Sequence, residues 1–173
     1  MALGVIQILF GGGLTGLWWI ILGMFVRYAA DSSYTQFEVS QLLKGESVRR
    51  FMTPHPITVP PDITVQRLID DWVFGHFHEF FPVVDGEGAI GCVGMQHIKQ
   101  VPKEAWGNTT LREIMAARSA ENTVDINREA FEVLELMKKT GNSRLMVTEK
   151  GALAGVVALK DLLKPISLKR ELE

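Results

Sequence analysis

The residues of this chain best suited to chemistry are the run His76-Phe77-His78-Glu79. Zinc-assisted hydrolysis from a helix uses His-Glu-x-x-His, which sets two imidazoles one turn apart on a single metal and a carboxylate beside the metal's water. That motif does not occur here. The two histidines are two positions apart, so on a helix they point in different directions and on a strand they share a face. No third ligand stands nearby, so the run is expected to be a solvated helix-to-strand loop. Asp70-Asp71 sit towards the exposed side of an amphipathic segment, where carboxylates are solvated. Cys92 and the scattered serines lack the general base and orienting acid that a nucleophile needs. Lys138-Lys139 close a helix, where positive charge complements the dipole. Met52, Met115 and Met137 fall at apolar positions and read as core. No catalytic residue and no metal ligand set is assigned, and the chain is expected not to be catalytic alone.

The elements around these residues come from a stretch that occurs twice. Val48-Arg49-Arg50-Phe51-Met52, then Val59 and Asp62, opens one copy; Leu111-Arg112-Glu113-Ile114-Met115, then Val124 and Asp125, opens the other. The offset is 63 at Met52/Met115 and Asp62/Asp125 and 64 at Gly91/Gly155. Each copy runs about 55 residues. Its expected order is a helical turn, a strand, an amphipathic helix, a hairpin and a last helix. In the first copy Ile57-Thr58-Val59 is strand-like, and Pro60-Pro61 stop it. Thr64 caps a helix whose apolar face is Val65, Leu68, Ile69, Trp72 and Val73. Phe80 to Val84 and Ala89 to Val93 flank a turn at Asp85-Gly86-Glu87-Gly88, and Met95 to Val101 resumes helix. In the second copy Ala130, Phe131, Leu134 and Met137 form the stripe, ended at Lys138-Lys139-Thr140-Gly141. Leu145 to Thr148 and Leu153 to Ala158 are strands around Lys150-Gly151, and Leu159 to Lys164 closes before Pro165. One copy has too little apolar area to fold alone, so the two are expected to share a core.

The chain's start differs in kind. Ala2 to Val26 carries no charged residue and clears the ~18-residue threshold for a membrane segment. Gly11-Gly12-Gly13 leaves two readings, one span or the stub of one helix followed by a second from Leu14. No basic region precedes the run, as a signal peptide would need. Arg27, Lys44, Arg49 and Arg50 follow it, which places the repeats on the cytoplasmic side. A single cysteine excludes a disulfide framework. With 173 residues and a net charge of −2, the chain holds one compact domain plus a membrane segment and no basic excess for nucleic acid. The charges after Lys164 read as a solvated tail.

Phe51-Met52-Thr53-Pro54, Thr58-Val59-Pro60-Pro61-Asp62, Phe81-Pro82-Val83-Val84-Asp85 and Gly91-Cys92-Val93 resemble a cystathionine-β-synthase (CBS) motif. The second copy matches in Ile114-Met115, Asp125 and Gly155-Val156-Val157-Ala158-Leu159-Lys160-Asp161. The resemblance implies an α/β (α+β) fold, a tandem CBS pair with pseudo-two-fold symmetry. It also implies an adenine nucleotide or adenosyl ligand in the cleft between the motifs: AMP, ADP, ATP or S-adenosylmethionine. The family signature is Gly-x-x-Ser/Thr-x-x-Asp. Gly155 and Asp161 fit it, which makes Asp161 the expected ribose contact, while Ala158 lacks the hydroxyl. In the first copy Gly91 fits, but Gly94 and His97 stand at the hydroxyl and acid positions. Ile57, Thr58, Val59 and Val83 would line the base slot, and His97 is expected on a solvent-facing helix position.

The membrane stretch, Gly11 to Ala30 with Ser32-Ser33-Tyr34 after it and a CBS pair beyond, resembles the C-terminal part of an intramembrane zinc metalloprotease of the site-2 protease family. The resemblance implies a regulatory part whose zinc is held in a catalytic portion not contained here; the family's membrane Asp ligand has no counterpart, since Asp31 lies at the cytosolic edge. The expected organisation is a transmembrane segment at 1–30, a connecting helix at 31–46, a first CBS motif at 47–104, a second at 105–168 and a tail at 169–173. The expected function is a membrane-anchored regulatory pair in the inner (cell) membrane that senses an adenine nucleotide or mediates homodimerisation. The alternatives are a ligand-free structural or dimerisation module and the cytosolic regulatory tail of a transporter or channel.

Overall fold

The computed structural model describes residues 18–25, 27, 41–86 and 88–172. The chain divides into two units, Met1–Leu42 and Leu43–Glu173. In the first unit residues 18–25 are helical and expose Trp18, Trp19, Met24 and Phe25. No helix among the described residues is long and apolar enough to cross a membrane. Most of the expected span, and residues 31–40 of the expected connecting helix, lie outside the described residues.

Among its described residues the second unit has seven strands: β1 (Thr53–Pro54), β2 (Phe80–Asp85), β3 (Gly88–Gly94), β4 (Ala116–Ala117), β5 (Thr123–Asp125), β6 (Arg144–Glu149) and β7 (Ala152–Ala158). Its α-helices are α1 (Val65–Arg67), α2 (Phe74–His76), α3 (Met95–Ile98), α4 (Leu111–Ile114), α5 (Ala130–Thr140) and α6 (Leu159–Leu172). The two sheets run β1-β7-β6-β5 and β2-β3-β4, and an isolated parallel bridge from Val59 to Val83 extends the second at β2. Each copy supplies an antiparallel hairpin, β2–β3 or β6–β7, and a parallel neighbour, Val59 or β5.

The copies exchange their opening segments. β1 of the first copy pairs with β7 of the second, and β4 of the second pairs with β3 of the first. Val48 and Arg49 donate backbone N–H groups to Arg128 and Ile126, while Leu111 and Arg112 donate theirs to Ile63 and Pro61. Leu111, fully buried, belongs to the core of Val59, Val65, Leu68, Phe81, Val83 and Val93. The shared core expected from size alone is therefore built by trading parts. Gly91 and Gly155 mark the crossing points. A Cβ on Gly91 would lie 2.4 Å from the Ala116 carbonyl oxygen, and one on Gly155 would lie 2.7 Å from that of Thr53. Only a residue without Cβ lets the exchanged strands approach this closely. Arg112 reaches Asp85 at 2.9 Å and Asp62 at 3.3 Å, and Arg49 pairs with Glu149, the matching residue of the other hairpin.

Several elements differ from expectation. The Thr64 hydroxyl accepts the Arg67 N–H as expected, and Val65, Leu68 and Ile69 are buried. The helix, however, widens to a π-helical stretch at Leu68–Val73, where the Phe74 N–H reaches the Ile69 carbonyl, before α2 resumes. The extra residue in that turn is a local insertion, which apolar spacing does not reveal. Ile57-Thr58-Val59 forms a bridge at Val59 rather than a strand, because Pro60 and Pro61 cut the pairing short. α3 stops at Ile98 instead of Val101. On α5 the buried residues are Ala130, Val133, Leu134 and Met137, with Val133 taking the place expected for Phe131. Gly141 ends α5 as expected, at φ 73°. α6 runs through Pro165 to Leu172, and the missing N–H removes one helical bond, that to the Asp161 carbonyl.

Candidate functional site

The exchange leaves two pseudo-symmetric clefts between the copies. Cleft A, about 360 Å³, is lined by Thr53, Pro56, Ile57 and residues 77–80 from the first copy and by Arg144, Val156, Ala158, Lys160 and Asp161 from the second. Cleft B, about 260 Å³, has matching positions from the opposite copies, among them Cys92, Gln96, His97, Ala116, Asn142 and Arg144. Small-molecule pockets span roughly 300–1,000 Å³, so cleft A falls within the range and cleft B below it.

Of the candidate residues read from the sequence, Ile57, Ala158 and Asp161 meet in cleft A. Val59 and Val83 are buried against each other in the first-copy core and Thr58 is exposed; none of the three lines the cleft. Gly155 lies beneath Thr53 at the β1–β7 crossing, not on the cleft wall. β7 and the first turn of α6 bring Ala158, Lys160 and Asp161 to the cleft, with Asp161 half-buried. Among the described residues its carboxylate has no ion-pair partner.

Sequence reasoning passed over four groups in cleft A. Thr53, on the exchanged strand β1, brings a hydroxyl from the first copy to a cleft where Ala158 of the second has none. Lys160 flanks Asp161. Arg144, at the start of β6, donates to Glu79 at 3.0 Å and lines both clefts, and its pseudo-symmetric mate is Phe80. His78 joins the lining while its Nδ1 lies 2.6 Å from the His76 carbonyl. The exchange of opening segments, absent from any local pattern, assembles this set.

Cleft B differs because its histidine and its buried asparagine are already engaged. The Gly94 N–H donates to His97 Nδ1 at 2.9 Å, so that nitrogen is held as an acceptor at the start of α3. Burial lowers the His97 pKa, favouring the neutral ring. The expectation of a solvent-facing His97 is thus corrected: the ring caps its own helix and is half-buried. Asn122 accepts from the Ser119 N–H at 2.9 Å and donates to the Ala117 carbonyl at 2.8 Å. Burial pushes the Cys92 thiol up to about 11, leaving it a poor nucleophile.

The loop His76-Phe77-His78-Glu79 is exposed as expected, with the two imidazoles edge to face at 6.5 Å between centroids. Among the described residues no group of three or more His, Cys, Asp or Glu side chains could hold a metal ion. Asp70 accepts from Gln66 and Asp71 pairs with Arg67, both in solvent.

Comparisons with known proteins follow the same lines. The CBS domain family matches residues 48–104 and 111–168. Rip3 of Mycobacterium tuberculosis, a protein given a zinc metalloprotease name, is 31% identical over 98% of this chain and 44% of its own length. The zinc metalloprotease MJ0392 of Methanocaldococcus jannaschii is 29% identical over 99% of this chain and 48% of its own length. The chain spans just under half the length of these relatives. Among solved structures, the CBS domain of a bacterial CNNM/CorC family Mg2+ transporter in complex with ATP has a TM-score of 0.66. It is 20% identical and covers 79% of this chain and 97% of its own. CBSX2 in complex with AMP has a TM-score of 0.61 and is 18% identical, covering 73% of this chain and 99% of its own. The fold, the exchanged opening segments and the family match agree: the chain belongs to the CBS domain family and carries that domain twice in tandem.

Proposed function

We propose that the chain is the cytoplasmic regulatory pair of a membrane-anchored zinc metalloprotease of the site-2 type, and that cleft A binds an adenine nucleotide or adenosyl ligand. Cleft A carries the reading: between the two copies it gathers a carboxylate for ribose hydroxyls, Asp161, with a hydroxyl, Thr53, and two cations for phosphate, Lys160 and Arg144. Similarity to two zinc metalloproteases along nearly the whole chain supports the parent activity, and the apolar run Ala2 to Val26 supports the anchor. No group of three or more His, Cys, Asp or Glu side chains among the described residues could hold zinc, so the reading assigns the metal to the parent protein's catalytic part. A ligand bridging the copies favours one arrangement of the pair, and that preference is what the attached membrane segment would read. A ligand with equal affinity for both arrangements would transmit nothing.

Ala158 favours a second reading, a ligand-free pair that serves homodimerisation, because the hydroxyl of the family signature is absent there. Calorimetric titration of the detergent-solubilised chain with AMP, ADP, ATP and S-adenosylmethionine separates the two. Saturable binding that Asp161→Ala weakens roughly tenfold or more supports the nucleotide reading. No heat at millimolar ligand, with dimers in sedimentation, supports the second.

A further inference from the structure

Phe77 has the most exposed large apolar side chain among the described residues, at 89%. Its backbone is left-handed, φ 54° and ψ 35°, and its N–H bonds the Val73 carbonyl at 2.9 Å. That is the position after a helix where glycine is favoured, because a Cβ is strained there. The second copy obeys the preference: its matching residue is Gly141, left-handed at φ 73°, with its N–H on the Met137 carbonyl at 2.9 Å. The fold therefore asks for glycine at both places, and the first copy carries a phenyl ring instead. Neither packing nor backbone geometry explains that ring, since it is in water and its conformation is unfavourable for a bulky residue. What distinguishes the position is that Phe77 lines cleft A together with Ile57 and Asp161, whereas Gly141 presents no ring to cleft B.

We infer that Phe77 is the stacking platform of cleft A, its ring lying against the planar base of the bound nucleotide while Asp161 takes the ribose. The inference rests on the nucleotide reading of that cleft. An aromatic face accepts any base, so Phe77 contributes affinity rather than the choice between adenine and guanine. Loss of such a stack weakens binding about five- to hundredfold. Ligands without a base do not use it.

The test titrates the full chain in detergent with AMP, ATP, S-adenosylmethionine and ribose 5-phosphate, comparing wild type with Phe77→Ala, Phe77→Gly and Phe74→Ala. Phe74 is also an exposed ring, at 68%, but does not line the cleft. The expected result is weakening of the adenine ligands by about tenfold in both Phe77 variants, with ribose 5-phosphate unchanged. Phe77→Gly should also raise the melting temperature, which a ring with a structural role would lower. Phe74→Ala should change neither binding nor stability. Unchanged adenine affinity in Phe77→Ala would overturn the platform and leave the nucleotide reading standing. Equal weakening of ribose 5-phosphate would also overturn it. If wild type binds none of the adenine ligands, both readings fail. If the Phe74 and Phe77 variants instead alter sedimentation with adenine affinity intact, the two rings form a contact between copies and the platform is overturned.

Discussion

Clefts A and B are built from equivalent positions of one duplicated unit, yet they satisfy their polar groups in opposite ways. At the third residue of the helix bordering each cleft, cleft B has His97, whose Nδ1 is consumed by the Gly94 N–H. Cleft A has Asp161 there, with no ion-pair partner among the described residues. Beside the exchanged strand cleft B has Ala116, while cleft A has the hydroxyl of Thr53. After the amphipathic helix the second copy has Gly141, while the first has Phe77, which lines cleft A. The lesson is that duplication preserves backbone and divides labour among side chains. Cleft B spends its histidine on capping its own helix, while cleft A keeps the Asp161 carboxylate out of any ion pair among the described residues.

Substitutions at the crossing glycines and in the two clefts test this contrast. The largest effect is expected where the symmetry is strictest, at the crossing glycines. Gly91→Ala drives a methyl into the Ala116 carbonyl and should cost about 3 kcal/mol in urea unfolding, the upper end for overpacking. Gly155→Ala should cost less, about 1–2 kcal/mol, because the backbone oxygen that its methyl meets, that of Thr53, lies at 2.7 Å rather than 2.4 Å. Equal costs would mean that the two crossings relax alike. Next, Asp161→Ala should weaken AMP binding roughly tenfold or more, the worth of a hydrogen bond to a charged group, while His97→Ala leaves it unchanged. An equal loss in both would erase the distinction between the clefts. Ala158→Thr restores the missing hydroxyl and should tighten AMP by about three- to tenfold if phosphate lies near it. No change, with binding lost in Thr53→Ala, would assign that role to the exchanged strand.

The smallest effect concerns pH. The folded state holds His97 below its ordinary pKa by burial, so the unfolded chain takes up the proton first. This contribution to stability is present above pH 6.5 and is lost as pH falls through the lower folded value. His97→Gln should flatten the acid limb of the stability profile measured by thermal melts between pH 7 and about 5. An unchanged limb would show that His97 is solvated like an ordinary histidine.

Much of this was legible locally. The repeat, both hairpins, the Thr64 cap and the Gly141 stop follow from spacing and residue type, because turns, caps and apolar periodicity are short-range properties. The π-helical stretch at Leu68–Val73 was not legible, since its apolar positions suit either helix. Nor was continuation through Pro165, where the register of the remaining helical bonds outweighs one missing donor. Of the residues that line cleft A, Ile57, Ala158 and Asp161 were candidates from the sequence, while Arg144, Lys160, Thr53 and Phe77 were not.

The sequence by itself determined that one unit occurs twice and which residues each copy carries. Only the tertiary structure decided that β1 crosses to β7 and β4 to β3, which makes each cleft a joint product of both copies. The physical reason is burial: a single copy cannot bury its hairpin's apolar face, so it borrows the other's opening segment, and contacts 50 to 100 residues apart leave no trace in local spacing.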